Sequence, residues 1–451
     1  MIHTQILIVG GGPVGLYLQY RFLRMGFDSL LIEQRESISQ HSKSIGIHPV
    51  VLESLAQCPT QTGSIAERWS ETGLKIRKGI AYWDREYMGE VRFDARAREF
   101  DHILALPQWE TERVLEDAVL ELNRESLMRG VKAVSVRQGG WGLGGVVDVR
   151  EQAAEVEQAE TVGQAADRRE PDLHRDDEVV VEVSTTRDLR AIRDDVAFSD
   201  ARSAPGRQTG IRAKLVIACD GKHGKFREWL EIPKTGTKYP DTYIMGDFDD
   251  HTQFGSDAAV YLHRDGLIES FPLPGKKRRW VVKTDQFCEE KEEETIRSIL
   301  KERLQVQLDT RPADRVSAFR VQHEVASAFG KGRVFLAGDA AHVVSPIGGQ
   351  GMNLGWLGAD CLISEIESSL RANHDLFSSS TLASILSRYE NKHRRIALQV
   401  GRRAELNMRM GRRESHKFWI KSMLTSSLRI KRINMLLADL FTMRGLGTWP
   451  V

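Results

Sequence analysis

The sequence predicts an α/β fold in three parts: a domain with a mainly parallel sheet that opens on a βαβ unit, an inserted mixed or antiparallel β-sheet, and a C-terminal helical tail. Residues 1–35 contain a β-rich run, a glycine turn, a helical stretch and a second β-rich run. Residues 239–285 alternate and are rich in aromatic side chains, which is typical of antiparallel strands. From residue 388 onwards, apolar side chains recur at helical spacing among 15 basic and 4 acidic residues.

Length and composition exclude several classes of protein. The 451 residues suffice for two or three domains of about 150 residues each. With 41% hydrophobic and 28% charged residues, global disorder is excluded. The 64 basic and 63 acidic residues nearly cancel, so we predict no nucleic-acid partner. There is no uncharged apolar run of about 18 residues and no CxxC pair among the four cysteines, so we expect a cytoplasmic protein without a transmembrane helix.

The glycine turn has the spacing of a dinucleotide-binding fingerprint and makes the first domain Rossmann-like. Gly10 permits a tight turn, Gly12 lets a pyrophosphate approach the backbone, and Gly15 lets helix and strand pack closely. Glu33 ends the second strand and can accept a hydrogen bond from a ribose hydroxyl. The cofactor-binding residues predicted in this unit lie in the turn, in the first helical turn and at the end of the second strand: Gly10, Gly12, Pro13, Val14, Gly15, Glu33, Gln34 and Arg35.

A longer motif lies towards the other end of the chain. Residues 332–342 read GRVFLAGDAAH and residues 346–353 read PIGGQGMN, which places an Asp at a strand end just before a glycine-rich helix start. Here the sequence resembles the class A FAD-dependent monooxygenases, the para-hydroxybenzoate hydroxylase-like aromatic hydroxylases. The resemblance implies that Asp339 binds the FAD ribityl chain and that the backbone of residues 348–353 lies along the isoalloxazine. Its predicted cofactor-binding residues are Gly338, Asp339, Pro346, Gly349, Gly351, Met352 and Asn353.

A third motif follows a predicted buried strand. Residues 219–227 read CDGKHGKFR and are similar to the Asp-Gly motif of the family. The resemblance implies that Asp220 and Gly221 serve FAD, with Arg227 near the transiently bound nicotinamide cofactor. The family usually has Ser where this chain has Gly224.

Two shorter matches lie between these motifs. Lys43 and Ser44 align with a family segment that normally begins Arg-Ala and lies beside the flavin and its pyrophosphate. Lys43 keeps the charge but lacks the bidentate fork of Arg. Gln108 resembles the family's glutamine at a helix start, whose side chain contacts the ribityl chain. We predict all three residues as cofactor-binding.

Motif order and composition divide the chain into three parts. The predicted FAD-binding domain comprises residues 1–75, 103–232 and 325–390, with a charged insertion at about 151–210. In that insertion 23 of 60 residues are charged, so we expect it to be solvated. The predicted substrate domain comprises residues 76–102 and 233–324, and residues 391–451 form a basic helical tail.

The resemblance implies an NAD(P)H- and O2-dependent FAD monooxygenase that hydroxylates an aromatic or electron-rich small molecule through a flavin C4a-hydroperoxide. FAD is the expected cofactor, with NAD(P)H and O2 as co-substrates, and no metal site is predicted. Oxygen transfer itself demands no acid–base pair, and we assign none. The candidate substrate-facing residues are Pro346, His48, Tyr243 and Tyr261. His342 is expected to be structural.

Three other functions share this fold. A flavin-dependent halogenase should carry a Trp-x-Trp pair, and none of the nine tryptophans is so spaced. An isoprenoid reductase would not couple NAD(P)H oxidation to oxygen insertion. A non-catalytic binding protein of the FAD fold would not need Asp339 and the glycine-rich residues 348–353, which are intact here.

The tail has two interpretations. Its helices either pack on the FAD-binding domain or on a second subunit of a homodimer, or make a peripheral membrane contact through basic side chains near an apolar stripe. We favour packing, because the stripe offers more apolar surface than an enzyme usually leaves exposed.

Overall fold

The computed structural model describes residues 1–40, 44–95, 98–139, 178–185, 209–309, 311–410 and 418–446. Its α-helices are α1 Pro13–Arg24, α2 Pro49–Leu55, α3 Ile65–Thr72, α4 Gln108–Leu122, α5 Phe226–Trp229, α6 Glu292–Leu304, α7 Gln350–Arg371, α8 Ser379–Met410, α9 Phe418–Arg429 and α10 Lys431–Phe441. Its strands are β1 Ile2–Val9, β2 Ser29–Glu33, β3 Gly46–Ile47, β4 Pro59–Thr60, β5 Gly63–Ser64, β6 Leu74–Ile76, β7 Lys78–Trp83, β8 Glu86–Arg92, β9 Ile103–Ala105, β10 Leu127–Arg129, β11 Val131–Gln138, β12 Val179–Thr185, β13 Thr209–Ala218, β14 Lys234–Asp249, β15 Ala258–Leu262, β16 Ile268–Leu273, β17 Lys277–Thr284, β18 Arg315–Ala326, β19 Gly330–Lys331, β20 Val334–Leu336 and β21 His342–Val343.

The first sheet has the strand order β10-β2-β1-β13-β12-β11, with β20 beside β13 and β19 beside β20. Strands β10, β2, β1, β13 and β20 run parallel, whereas β11 and β12 join as antiparallel strands. The central strands are buried almost throughout, because helices cover both faces of a parallel sheet. Val9, Ala218 and Leu336 are in register, so β1, β13 and β20 end at one level.

Helix α1 follows directly from the glycine turn. Pro13 occupies its first turn, where no backbone N–H is needed, and Leu16, Tyr17 and Tyr20 form its buried face. The helix stops at Gly26, whose φ of 81° suits glycine. This βαβ unit matches the sequence prediction, and with the rest of the architecture it confirms the predicted α/β fold class.

The second sheet has the order β21-β18-β14-β17-β16-β15-β7-β8 and two chemically distinct faces. Because side chains alternate along a strand, Ile244 and Trp280 pack against helix α6, whereas their neighbours Tyr243 and Val281 pack with Ile347 of the segment before α7. We call these the helix face and the inner face. The inner face therefore turns towards residues 344–349, which we call the flavin loop.

Much of the predicted charged insertion, about 151–210, lies outside the described residues; residues 179–185 of it form β12, and residues 209–210 begin β13. The domain boundaries given above stay predictions. In the part of the chain that the structure describes, no helix is both long and apolar enough to cross a membrane.

The tail helices α9 and α10 lie on β8, the edge strand of the second sheet, so their main contacts are with the predicted substrate domain rather than with the FAD-binding domain. Asn434 serves that edge twice: its Oδ1 accepts the N–H of Arg92 (3.3 Å), and its Nδ2 donates to the Glu90 carbonyl (2.6 Å). A side-chain amide thus satisfies backbone groups that an edge strand would otherwise expose. Past α10, Met443 is buried in a cluster with Val344 of the flavin loop.

Substitution of two methionines, the buried Met443 and the exposed Met423, tests whether the tail packs against the rest of the protein. Met443→Ala should lower the free energy of unfolding by about 2–5 kcal/mol, because Met443 is 1% exposed and its removal leaves a cavity. Met423, which is 53% exposed on α9, is the matched control, and Met423→Ala should change that free energy by less than about 0.5 kcal/mol. Urea unfolding of both variants measures the difference. Equal effects would contradict docking of the tail as described.

Candidate active site

Three loops meet where β1, β13 and β20 end. The glycine turn follows β1, the Asp220 segment follows β13, and the Asp339 segment follows β20. Ligands of open α/β sheets bind in the crevice outside the carboxyl ends of such strands. The three motifs that the sequence separates by hundreds of residues therefore border one crevice.

Two glycines are required by close backbone approach. At Gly10, where φ is 109°, a Cβ would lie 2.4 Å from the Cys219 carbonyl oxygen. At Gly15, a Cβ would lie 1.9 Å from the carbonyl oxygen of Gly10. Any side chain at these positions would push the first helix away from the strands, as the fingerprint predicts.

Three other glycines face open space instead. Around Gly12, Gly221 and Gly349, one from each motif, a Cβ would meet no atom of the described residues within 4 Å. The backbone at these positions is open to approach by a ligand, which is the property that a pyrophosphate site needs.

Glu33 is held at the end of β2. Its Oε2 accepts the N–H of Gly11 (2.6 Å), and its Oε1 accepts the N–H and Nε of Arg35 (2.9 Å each). Burial raises the pKa of Glu33, but the hydrogen bonds from Arg35 and Gly11 outweigh burial, and the net pKa is lowered. The carboxylate therefore stays ionised beside the turn. Gln34 is exposed.

A buried carboxyl that the sequence prediction missed lies next to this group. Glu112 accepts a hydrogen bond from the Gln108 side chain (2.8 Å), and its Oε2 is buried with no hydrogen-bond partner among the described residues. Burial raises its pKa. The Gln108 N–H donates to the Ser44 carbonyl (3.2 Å), which joins two predicted cofactor segments. Lys43 lies outside the described residues.

Asp220 turns inward towards the start of α5. Its Oδ2 accepts the Phe226 N–H (3.1 Å), and burial raises its pKa while backbone N–H groups oppose that rise. A Cβ at Gly224 would lie 2.0 Å from the Asp220 carboxyl carbon. The departure from the family's Ser therefore has a local reason, since a side chain at position 224 would have to displace this carboxylate.

Asp339 stands exposed between the buried residues Gly338 and Ala340. Gly338 has a φ of 62°, and a Cβ there would lie 3.2 Å from Val14 of the first motif. Val14 also fills the space beside Gly355 of α7, so it packs the third motif against the first. This contact points to a packing role for Val14.

Asn353 ties the flavin loop to the segment before α2. Its Oδ1 accepts the His48 N–H (2.8 Å), and its Nδ2 donates to the carbonyls of Gly46 (2.8 Å) and Gly349 (2.9 Å). His48 is buried beside the Gly348 carbonyl, and burial lowers its pKa to about 4. A neutral His48 ring therefore lies behind the loop.

His342 pairs with His393 of α8, their Nε2 atoms being 2.7 Å apart. Both rings are buried, and burial lowers the pKa of both, to about 4 for His342. One ring must donate and the other accept, so the contact cannot persist when both rings are protonated. The contact agrees with the structural role expected for His342.

The candidate substrate residues fall on different sides of the second sheet. Tyr243 lies on the inner face and stacks on Phe319 (5.6 Å between ring centroids). Tyr261 lies on the helix face and stacks on Tyr82 (4.7 Å), so the alternation of the strand removes it from the substrate-facing set. Pro346 is exposed in the flavin loop, where its carbonyl accepts the Gly349 N–H (2.9 Å).

Comparison with known proteins agrees with this crevice. Residues 3–162 and 147–404 match the family model described as the FAD binding domain. The chain belongs to the FAD binding domain family. An uncharacterized aromatic compound monooxygenase of Bacillus subtilis is 26% identical over 362 residues, which are 79% of this chain and 60% of that protein. A pentachlorophenol 4-monooxygenase of Sphingobium chlorophenolicum is 26% identical over 361 residues, 78% of this chain and 55% of that protein.

This chain thus spans between half and two thirds of the length of these two relatives. Among solved structures, a p-nitrophenol 4-monooxygenase from Pseudomonas putida has a TM-score of 0.75 at 18% identity, covering 99% of both chains. An anhydrotetracycline hydroxylase from Streptomyces rimosus has a TM-score of 0.69 at 21% identity, covering 98% of this chain and 76% of that one. The resemblance to class A FAD-dependent monooxygenases is confirmed at the level of the family.

The residues of the crevice fit FAD. Gly12, Gly221 and Gly349 leave the backbone open, Glu33 offers an ionised acceptor, and Asp339 projects from a buried strand end. Gln350, at the first turn of α7, has a buried Oε1 without a hydrogen-bond partner among the described residues. Helix α7 begins at the flavin loop, so its amino terminus can stabilise negative charge there.

Replacement of Asp339 tests the placement of FAD. Asp339→Ala should weaken FAD binding by about 1.5–3 kcal/mol, tenfold or more, because a ribityl hydroxyl loses a charged acceptor. Asp28 is the matched control. It is exposed just before β2, at the opposite end of the strands from the crevice, and Asp28→Ala should bind FAD normally. Fluorescence titration of apoprotein with FAD measures both. Unchanged affinity in Asp339→Ala would show that this Asp does not face the cofactor.

The histidine pair makes stability depend on pH. Both folded-state pKa values lie below the ordinary value of 6.5, so the unfolded chain binds protons that the folded chain does not. The free energy of unfolding should therefore fall as the pH drops from 6.5 to about 4, by roughly 3 kcal/mol for His342 alone. Urea unfolding across this range measures the slope.

His393→Gln should flatten that slope, because an amide replaces one titrating ring. His251→Gln, which changes an exposed histidine, should leave the slope unchanged. An equally steep slope in His393→Gln would mean that the pair does not carry the acid sensitivity.

Proposed function

We propose that the protein is an FAD-dependent monooxygenase that uses NAD(P)H and O2 to hydroxylate an aromatic or similarly electron-rich small molecule. The observation that carries this proposal is the crevice itself: the strands before three FAD motifs end at one level, and the third motif leads into the flavin loop, which packs against the aromatic inner face of a second sheet. The names of the relatives agree, since two of them are monooxygenases, one acting on pentachlorophenol.

Each part of the site has a role in this reaction. Gly12 and Glu33 would bind the ADP half of FAD, and Asp339 would bind its ribityl chain. Bound FAD would supply electron transfer from NAD(P)H and the activation of O2. Tyr243 and Phe319 pack with Ile347 of the flavin loop, and these side chains would orient the substrate and exclude water from it.

Two rival flavin functions have less support. The sequence lacks the Trp-x-Trp signature that a halogenase should carry. An isoprenoid reductase would oxidise NAD(P)H without inserting oxygen, so the mass of the product distinguishes it. Cytoplasmic localisation, a homodimer and a peripheral membrane contact of the tail stay predictions. Sedimentation with anionic vesicles that salt abolishes would support the membrane contact.

The proposed activity is tested with purified, FAD-loaded protein and a panel of phenols and anilines. We expect yellow protein, NAD(P)H oxidation that an accepted compound accelerates, and a product heavier by one oxygen atom in mass spectrometry. Labelled ¹⁸O2 should place its label in that product. Protein that cannot be loaded with FAD, or that never transfers the label, would contradict the proposal.

A further inference from the structure

A carboxylate lies where the second sheet meets the flavin loop, and no motif predicted it. Glu269 is the second residue of β16, and its side chain accepts a hydrogen bond from the N–H of Gly348. Gly348 belongs to the flavin loop and has His48 on its other side. Glu269 therefore lies on the inner face, within the wall that faces the predicted flavin ring.

The surroundings of Glu269 are apolar. Its cross-strand neighbours are Val260 on β15 and Val281 on β17, and Met245 follows on β14. The residue is 6% exposed, and among the described residues no Lys, Arg or His forms an ion pair with it. Burial raises its pKa to about 7, although the Gly348 N–H opposes that rise.

The charged groups nearest on the same face already have partners. Asp247 and Arg279 form a bidentate pair (2.6 and 2.7 Å) one row away, and Lys283 is paired with Asp241 (3.5 Å) on the other side. From β18, Arg315 donates to the Gln40 side chain (3.3 Å).

His48, across Gly348, is neutral because burial lowers its pKa to about 4. Glu269 is therefore the carboxylate of this wall whose acceptor capacity is not taken up by a cation. A purely structural acceptor for one backbone N–H could be a neutral amide at a smaller desolvation cost.

We propose that Glu269 is the proton acceptor for the hydroxyl group of a phenolic substrate, and that it makes this wall prefer hydroxyl donors over carboxylates. The inference rests on the proposed monooxygenase function. In the step, the phenol O–H bond breaks and a Glu269 O–H bond forms, so the negative charge moves from the carboxylate to the phenolate oxygen. No oxidation is involved, and the electron-rich phenolate is the better acceptor of electrophilic oxygen.

The position of Glu269 suits this task in two ways. A carboxyl with a pKa near 7 is a stronger base towards a phenol, whose pKa is about 10, than an ordinary glutamate is. A negative charge in an apolar wall also repels a second negative charge, so a carboxylate of a substrate is excluded from this point.

The test compares Glu269→Gln with Glu302→Gln in FAD-loaded protein. Gln keeps the size of Glu269 and can still accept the Gly348 N–H, but it cannot take a proton. Glu302 is exposed on α6, behind the helix face, and serves as the matched control. The probes are 4-methylphenol, 4-methylanisole and 4-methylbenzoate, whose binding is followed by flavin difference absorbance.

We expect the wild type and Glu302→Gln to bind the phenol at least tenfold more tightly than the methyl ether at pH 8, a preference that shrinks below the pKa of Glu269. Glu269→Gln should show no preference at either pH. A preference that survives in Glu269→Gln, benzoate binding tighter than phenol binding, or no binding of any probe would overturn the proposal.

Thermal unfolding gives a second readout that needs no ligand. The folded-state pKa of Glu269 exceeds the unfolded value of 4.5, so ionisation of the buried group lowers stability as the pH rises between the two. Glu269→Gln should melt at a higher temperature than the wild type at pH 8, with a smaller gain at pH 5. Equal melting at pH 8 would contradict a buried ionised carboxylate and with it the proposal.

FAD content and flavin reduction by NAD(P)H, measured on the same samples, separate this inference from the function on which it rests. Loss of either in the wild type would refute the monooxygenase function, whereas normal FAD and normal reduction with unchanged phenol preference in Glu269→Gln would refute only the role of Glu269.

Discussion

The site depends on the close approach of backbone at the ends of β1, β13 and β20. The Cys219 N–H donates to the Val9 carbonyl (2.7 Å), and the Ala337 N–H donates to the Ala218 carbonyl (2.9 Å), so backbone bonds join the three strand ends. This approach leaves no room for a Cβ at Gly10. Because the strand ends are level, every loop that follows them opens into one crevice. A side chain at Gly10 would therefore disturb the cofactor site as a whole, not one turn of it.

Helix α7 connects the ends of these strands to the flavin loop. Its Trp356 Nε1 donates to the Pro13 carbonyl (3.1 Å), and its Glu367 pairs with Arg21 of α1 (2.9 Å), so α7 is fixed to the helix that begins at the glycine turn. At its amino end, Asn353 holds the loop through Gly349. The loop in turn leads back to β21, which pairs with β18 of the second sheet. The crevice and the second sheet are thus connected through helix α7 and the short strand β21.

The sequence predicted what depends on local spacing and missed what depends on pairing between distant elements. The glycine turn and Asp339 were readable because their geometry is set within a few residues. The choice between Tyr243 and Tyr261 could not be made from the sequence. Alternation along a strand predicts that successive side chains lie on opposite faces of a sheet, but not which face lies towards the flavin loop. The bond from His342 to His393 spans 51 residues and leaves no spacing signal. Glu269 did leave a signal in the sequence: it is an isolated carboxylate in a mostly apolar strand.

The polar groups that reduce stability are concentrated around the crevice. Glu112, His48 and Glu269 are all buried, and burial shifts the pKa of each towards its neutral form. By contrast, the buried Arg279 is paired with Asp247. A chain selected for stability alone would replace unpaired buried carboxyls with apolar residues of similar volume. Buried groups that lower stability and lie beside the FAD motifs therefore indicate the part of the molecule that serves a function. Because Glu269 is among them, this part includes the inner face of the second sheet as well as the crevice.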